Sequence, residues 1–121
     1  MNAVQPALES LTILIAEDSA ADRMLLSSIV RRQGHQVLTA ANGAEAVEVF
    51  RLQCPQLVLM DALMPVMDGF EAARQIKALA GETLVPIIFL TSLSESEALA
   101  RCLEVGGDDF LAKPYNQVIL S

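Results

Sequence analysis

The sequence predicts an α/β domain in which a parallel five-stranded sheet carries helices on both faces. Three observations support this. Short, β-rich apolar runs alternate with longer stretches of helical spacing, the pattern of βα units rather than hairpins. Cap residues open several of the helical stretches and glycines close them. The chain has 121 residues, the length of a single domain.

Met1 to Ser10 contains Pro6 and no periodic pattern, so residues 1–10 are expected to be a flexible leader and residues 11–121 the folded domain. The first strand is expected over Leu11 to Ala16. Ser19 followed by Asp22 then reads as a helix cap with an acid in the first turn; Leu25 and Ile29 would face the sheet, and Gly34 would end the helix. The second strand is Gln36 to Ala40, after which Asn42 with Glu45 opens a helix that buries Val47 and Phe50. The third strand is Gln56 to Met60; Asp68 with Glu71 opens the next helix, Phe70 and Ala73 face inward, and Gly81 ends it. The fourth strand is Val85 to Leu90, followed by a helix opened by Ser94 with Glu97, carrying Leu99, Cys102 and Leu103 inward and closed by Gly106 and Gly107. Asp109 to Ala112 is the fifth strand. After Pro114 only Tyr115 to Ser121 remain, about two helical turns, so the fifth helix is expected either to be short or to be cut from a longer chain. Because crossovers between parallel strands are right-handed, these units should wind into a doubly wound, flavodoxin-like (βα)5 sheet of strand order 2-1-3-4-5.

Composition narrows the function. Hydrophobic residues make up 53% and charged residues 19%, too apolar for a disordered segment. Eight basic against fifteen acidic residues give a formal charge of −7, which repels polyanions and argues against direct nucleic-acid binding. No apolar run approaches the ~20 residues of a membrane span and no secretion signal opens the chain, so a cytoplasmic location is expected. Cys54 and Cys102 are too few for a disulfide framework or a zinc site and read as reduced packing residues.

In an open α/β sheet, ligands bind beyond the carboxyl ends of the strands. Here those ends carry Glu17 and Asp18, then Asp61, then Thr91 and Ser92, then Lys113. Adjacent strands are ~4.8 Å apart, so three carboxylates, a hydroxyl and an ammonium should converge on one crevice. Two like charges ~4 Å apart at an effective dielectric of about 20 repel by roughly 4 kcal/mol, so such a group needs cations. Lys113 supplies one; a hard divalent ion with oxygen ligands, Mg²⁺, suits the rest. These are the parts for handling a phosphoryl group, with one carboxylate as nucleophile.

At these residues the chain resembles the receiver domain of two-component response regulators, a CheY-like family, from Leu11 to Leu120. The resemblance rests on Glu17-Asp18, the run Asp61-Ala62-Leu63-Met64-Pro65-Val66-Met67-Asp68-Gly69, the pair Thr91-Ser92 and the segment Asp108 to Pro114, in the family's order and spacing. It implies that Asp61 accepts a phosphoryl group from a phosphohistidine on a histidine kinase or histidine phosphotransfer protein. It further implies that Asp18, Asp61 and the backbone carbonyl of Leu63 ligate Mg²⁺ directly, with Glu17 acting through water, and that Lys113 pairs with a phosphoryl oxygen. Thr91 would swing to another phosphoryl oxygen and Phe110 would turn inward behind it. The face built by the fourth helix, fifth strand and fifth helix, roughly Glu95 to Val105 and Asp109 to Leu120, would then signal to a partner, an attached output domain or a second copy. A cis peptide between Lys113 and Pro114 is also implied.

Two departures matter. Leu63 and Leu93 are apolar where relatives often carry polar side chains that help place the hydrolytic water, which predicts slow self-dephosphorylation. Phe110 stands where Tyr is also common and has no ring hydroxyl.

Plainer readings exist for each residue. An acidic pair at a strand end can be a solvated loop, Asp61 a turn residue before Met64-Pro65, Thr91 an ordinary strand residue and Lys113 a surface lysine. Their coincidence at strand ends favours function. His35 reads as an exposed loop residue away from the crevice, Met60, Met64 and Met67 as packing residues, and Asp108-Asp109 as a turn and strand start. Two other functions compete. A phosphohydrolase would need a general acid, yet Leu63 occupies the position where one such family has aspartate. A docking module would keep the fold without taking phosphate. Flavin binding fits poorly, because the loop after the first strand is acidic.

Overall fold

The computed structural model describes residues 10–62, 64–91 and 109–112, the last four and Thr91 as backbone only. The chain runs β1 (Thr12–Ala16), α1 (Ala20–Arg32), β2 (Gln36–Ala40), α2 (Gly43–Gln53), β3 (Leu57–Asp61), α3 (Gly69–Ala80), β4 (Ile87–Thr91) and β5 (Asp109–Ala112). All neighbouring strands are parallel, in the order β2-β1-β3-β4-β5. This is the expected doubly wound topology. The expected fourth and fifth helices, with Ser94, Glu97, Leu99, Cys102, Leu103, Gly106, Gly107 and the Lys113–Pro114 peptide, lie outside the described residues, as do residues 1–9 of the leader.

Strand alternation divides the interior into two layers. Leu14, Ala16, Val58, Met60, Ile87 and Phe89 point to the side covered by α2 and α3, where Phe50, Phe70 and Ile76 complete the larger cluster. Phe70 and Phe89 meet there with ring centroids 4.7 Å apart and planes tilted by 45°. Ile13, Ile15, Leu59 and Leu90 point to the other side and pack against Leu26 and Val30 of α1. In α1 the inward stripe is Leu26, Ile29 and Val30, whereas Leu25 is 45% exposed. Two adjacent leucines leave the helical phase open in the sequence; the spacing 26, 29, 30 meets the sheet and turns Leu25 outward.

The predicted caps of α1, α2 and α3 are present. Ser19, Asn42 and Asp68 accept from the backbone N–H of Asp22, Glu45 and Glu71, respectively. Glu45 reaches back to the Ala41 N–H at 2.7 Å. Gly34 (φ +92°) and Gly81 (φ +62°) follow α1 and α3. α2 ends without glycine: Cys54 takes the left-handed cap position at φ +48°, and it is exposed rather than packed. The β4 ladder starts at Ile87, two residues later than expected, because Pro86 has no N–H to donate; its carbonyl instead accepts from the Val58 N–H at 3.0 Å. His35 is half-buried, not an exposed loop residue: its Nδ1 accepts the Leu11 N–H at 3.1 Å and ties the start of β1 to the entrance of β2. No helix among the described residues is long and apolar enough to cross a membrane.

Candidate functional site

The site forms at the carboxyl rim of the sheet, where β1 and β3 lie side by side. The β1–β3 register pairs Ala16 with Met60, so the residues that follow, Glu17 and Asp61, leave adjacent strands at the same level. Carboxylate oxygens of Glu17, Asp18 and Asp61 all lie within 4.8 Å of one another. Glu17 and Asp61 are buried, at 0% and 3% exposure, and Asp18 is exposed. The result is a half-open cup of oxygen donors with two buried walls and one solvent-facing lip. Three hard anionic donors with an open side fit a small divalent cation that keeps part of its water shell.

Local bonds hold Glu17 and, with it, the turn that carries Asp18. The Glu17 N–H donates to the Ala40 carbonyl at 3.0 Å, extending the β1–β2 edge by one residue. Its carbonyl accepts from Arg23 Nη1 at 2.7 Å, and its Oε1 accepts the Ser19 N–H at 3.1 Å. Arg23 thus clamps the turn leading from the acidic pair into α1, a role with no signature in the sequence beyond its place in the first turn of that helix.

Asp61 is the final residue of β3, one residue beyond the expected strand end. It pairs with Leu90, and the following Ala62 N–H donates to the Leu90 carbonyl at 2.9 Å. The loop from Ala62 to Asp68 then folds back under its own constraints. The Met67 N–H donates to the Pro65 carbonyl at 2.7 Å across Val66, whose φ is +71°, forming a γ-turn. The Gly69 N–H donates to the Ala62 carbonyl at 2.9 Å. Gly69 also fits where no other residue does, because a Cβ there would overlap the Asp61 carbonyl oxygen and come within 2.9 Å of its carbon. As expected, Met60, Met64 and Met67 are packing residues; Met60 is fully buried and the other two pack against the larger core.

The remaining predicted residues are placed by backbone alone or lie outside the described residues. Thr91 ends β4, one residue beyond the partner of Asp61, and pairs with Ala112 at the end of β5. Phe110 pairs with Phe89. The side chains of Thr91 and Phe110, and Leu63, Ser92, Leu93, Asp108 and Lys113 altogether, lie outside the described residues.

Residues 13–121 match the family model of the response regulator receiver domain. A probable transcriptional regulator, ycf27, of Pyropia yezoensis is 39% identical over 104 residues, covering 86% of this chain and 42% of its own length. The chain therefore spans less than half of that relative. Among solved structures, the receiver domain of sensor histidine kinase PA1611 from Pseudomonas aeruginosa PAO1, with a magnesium ion coordinated in its active-site cleft, superposes with a TM-score of 0.83 at 34% identity, covering 93% and 92% of the two chains. The receiver domain of the Saccharomyces cerevisiae response regulator Ssk1, in complex with the histidine phosphotransfer protein Ypd1, has a TM-score of 0.85 at 30% identity, covering 92% of this chain and 83% of that one.

Proposed function

This chain belongs to the response regulator receiver domain family and has its two-component phosphoacceptor role, and from that premise we propose that Asp61 is the residue that takes the phosphoryl group. In the proposed reaction a carboxylate oxygen of Asp61 attacks the phosphorus of a phosphohistidine. The new P–O bond forms as the P–N bond breaks, the imidazole leaves with the bonding pair, and Asp61 becomes an acyl phosphate. The observation that carries this reading is the meeting of three carboxylate oxygens within 4.8 Å with Asp61 buried at the strand end.

Asp18, Asp61 and the Leu63 carbonyl would hold Mg²⁺, with Glu17 acting through water. When bound, the ion neutralises charge on the transferring group. Glu17 adds a third, fully buried carboxylate to the cup, and Arg23 holds the turn that presents Asp18. Lys113 and Thr91 would bind phosphoryl oxygens, and Phe110 would follow Thr91 to alter the face formed by the fourth helix, β5 and the fifth helix.

The donor would be a histidine kinase or a histidine phosphotransfer protein, as the Ypd1–Ssk1 complex illustrates for a relative. The reader would be a partner, an attached output domain or a second copy. The receiver unit would run over residues 11–121 after a leader of residues 1–10, and the protein would act in the cytoplasm. It is a signalling phosphoacceptor that catalyses its own phosphorylation and dephosphorylation rather than an enzyme with a separate substrate.

Incubation with a small-molecule phosphodonor and Mg²⁺, followed by intact mass measurement, should show one phosphoryl adduct that is absent in Asp61→Asn. Steady multiple-turnover phosphate release would instead indicate a phosphohydrolase, and no adduct a docking module.

A further inference from the structure

The head of α2 touches the loop that leaves Asp61. Gly43 is the first residue of α2, and its N–H has no partner within the helix. It donates instead to the Met67 carbonyl at 3.0 Å. Approach this close requires glycine: a Cβ at position 43 would overlap the Met67 carbonyl oxygen and lie 2.8 Å from its carbon and 3.0 Å from the Asp68 carbonyl oxygen. These are backbone atoms, which cannot swing aside as a flexible side chain could. Met67 is held from the other direction by its bond to the Pro65 carbonyl across the left-handed Val66. Asp68 caps α3, and the next residue, Gly69, lies against the Asp61 carbonyl. A continuous line of backbone contacts therefore joins the head of α2 to the proposed phosphoacceptor: Gly43 to Met67 and Asp68, then Gly69, then Asp61.

We infer that Gly43 is a positioning residue for the acidic site: by having no side chain it lets α2 clamp the 67–68 carbonyls, and this clamp sets where Gly69 holds Asp61. The inference rests on the reading of Asp61 and its neighbours as a Mg²⁺-dependent phosphoacceptor site. In Gly43→Ala the Met67 carbonyl oxygen must retreat by about 0.8 Å or more and the Asp68 carbonyl by a few tenths of an ångström, and Gly69 with them, so Asp61 shifts relative to Glu17 and Asp18. Partners that orient ligands from behind typically govern metal affinity by about 10–100-fold.

Calorimetric titration with Mg²⁺ alone tests this on the full chain. Gly43→Ala should bind Mg²⁺ about tenfold more weakly than the wild type. Gly34→Ala is the control for general destabilisation: Gly34 has φ +92° and open space around it in the turn after α1, so alanine there strains the backbone without touching the loop. It should lose stability and keep the wild-type Mg²⁺ affinity. A folded Gly43→Ala with wild-type affinity would overturn the inference while leaving the Mg²⁺ site intact. A wild type that takes up no Mg²⁺ would remove the site itself and the inference with it. Should Gly43→Ala fail to fold, the wild type supplies the decisive readout, because coupling between two sites is reciprocal. Saturating Mg²⁺ should slow hydrogen exchange at the Gly43 amide severalfold, and an unchanged rate there would overturn the clamp.

Discussion

Gly69 and the carbonyl of Asp61 are in such close contact that a single added carbon would come within 2.9 Å of the carbonyl carbon. The first turn of α3 is therefore seated directly on the backbone of the proposed phosphoacceptor. Gly69→Ala should cost about 1–3 kcal/mol of stability through overpacking against unyielding backbone. It should also lower the yield of the phosphoryl adduct more than Gly34→Ala does. Urea melts and intact mass check the two effects.

Asp18 is the solvent-facing member of a like-charged trio, which makes its two effects separable. At an effective dielectric of about 20, unit charges ~5 Å apart repel by roughly 3 kcal/mol, and exposure reduces this severalfold. Without Mg²⁺, Asp18→Asn should therefore stabilise the fold by about 1 kcal/mol. With Mg²⁺ at a hundred times its dissociation constant, the wild type should gain about 2.7 kcal/mol and the variant far less. Thermal melts with and without the ion provide the comparison.

Val66 holds a β-branched side chain at φ +71° while 83% exposed, so its strain is not offset by packing. Val66→Gly should stabilise the protein by about 1 kcal/mol, the relieved strain exceeding the extra entropy of the unfolded glycine. A denaturant melt that shows destabilisation would contradict the γ-turn geometry.

The apolar Leu63 predicts a long-lived phosphoryl group. Leu63→Asn should shorten the lifetime measured by loss of the adduct over time, by offering a polar group to the attacking water. A wild-type lifetime of seconds, unchanged in the variant, would count against this.

Among surface pairs, the Arg51 guanidinium hydrogen-bonds the Glu48 carboxylate and holds its pKa below the usual range. A lowered carboxyl pKa contributes stability that is present above the unfolded value and is lost as pH falls through the folded one. Both side chains are 54% exposed, so Glu48→Gln should leave the neutral-pH melting temperature nearly unchanged and slightly flatten its acid limb.

Much of this was legible in the sequence because strand ends and helix caps are local features. Glu17, Asp18 and Asp61 follow apolar runs, and the strand order brings them together; Ser19, Asn42 and Asp68 announce their helices. What escaped depends on distant partners. Nothing near Gly43 or Gly69 in the chain reveals that Met67 or Asp61 will press against them: Gly43 merely follows the Asn42 cap, and Gly69 follows the Asp68 cap at the end of the run from Asp61. Leu25 and Leu26 are equivalent until the sheet selects one. His35 reads as exposed in the sequence because its partner, the Leu11 N–H, lies 24 residues away. Cys54 shows that a left-handed helix cap can occur without glycine.

The most direct test of the central claim is a crystal structure grown with Mg²⁺ and beryllium fluoride, which mimics a phosphoryl group. The account predicts the fluoride adduct bonded to a carboxylate oxygen of Asp61, with the metal between Asp61 and Asp18. A rim left vacant under these conditions, or an adduct on any other residue, would contradict it.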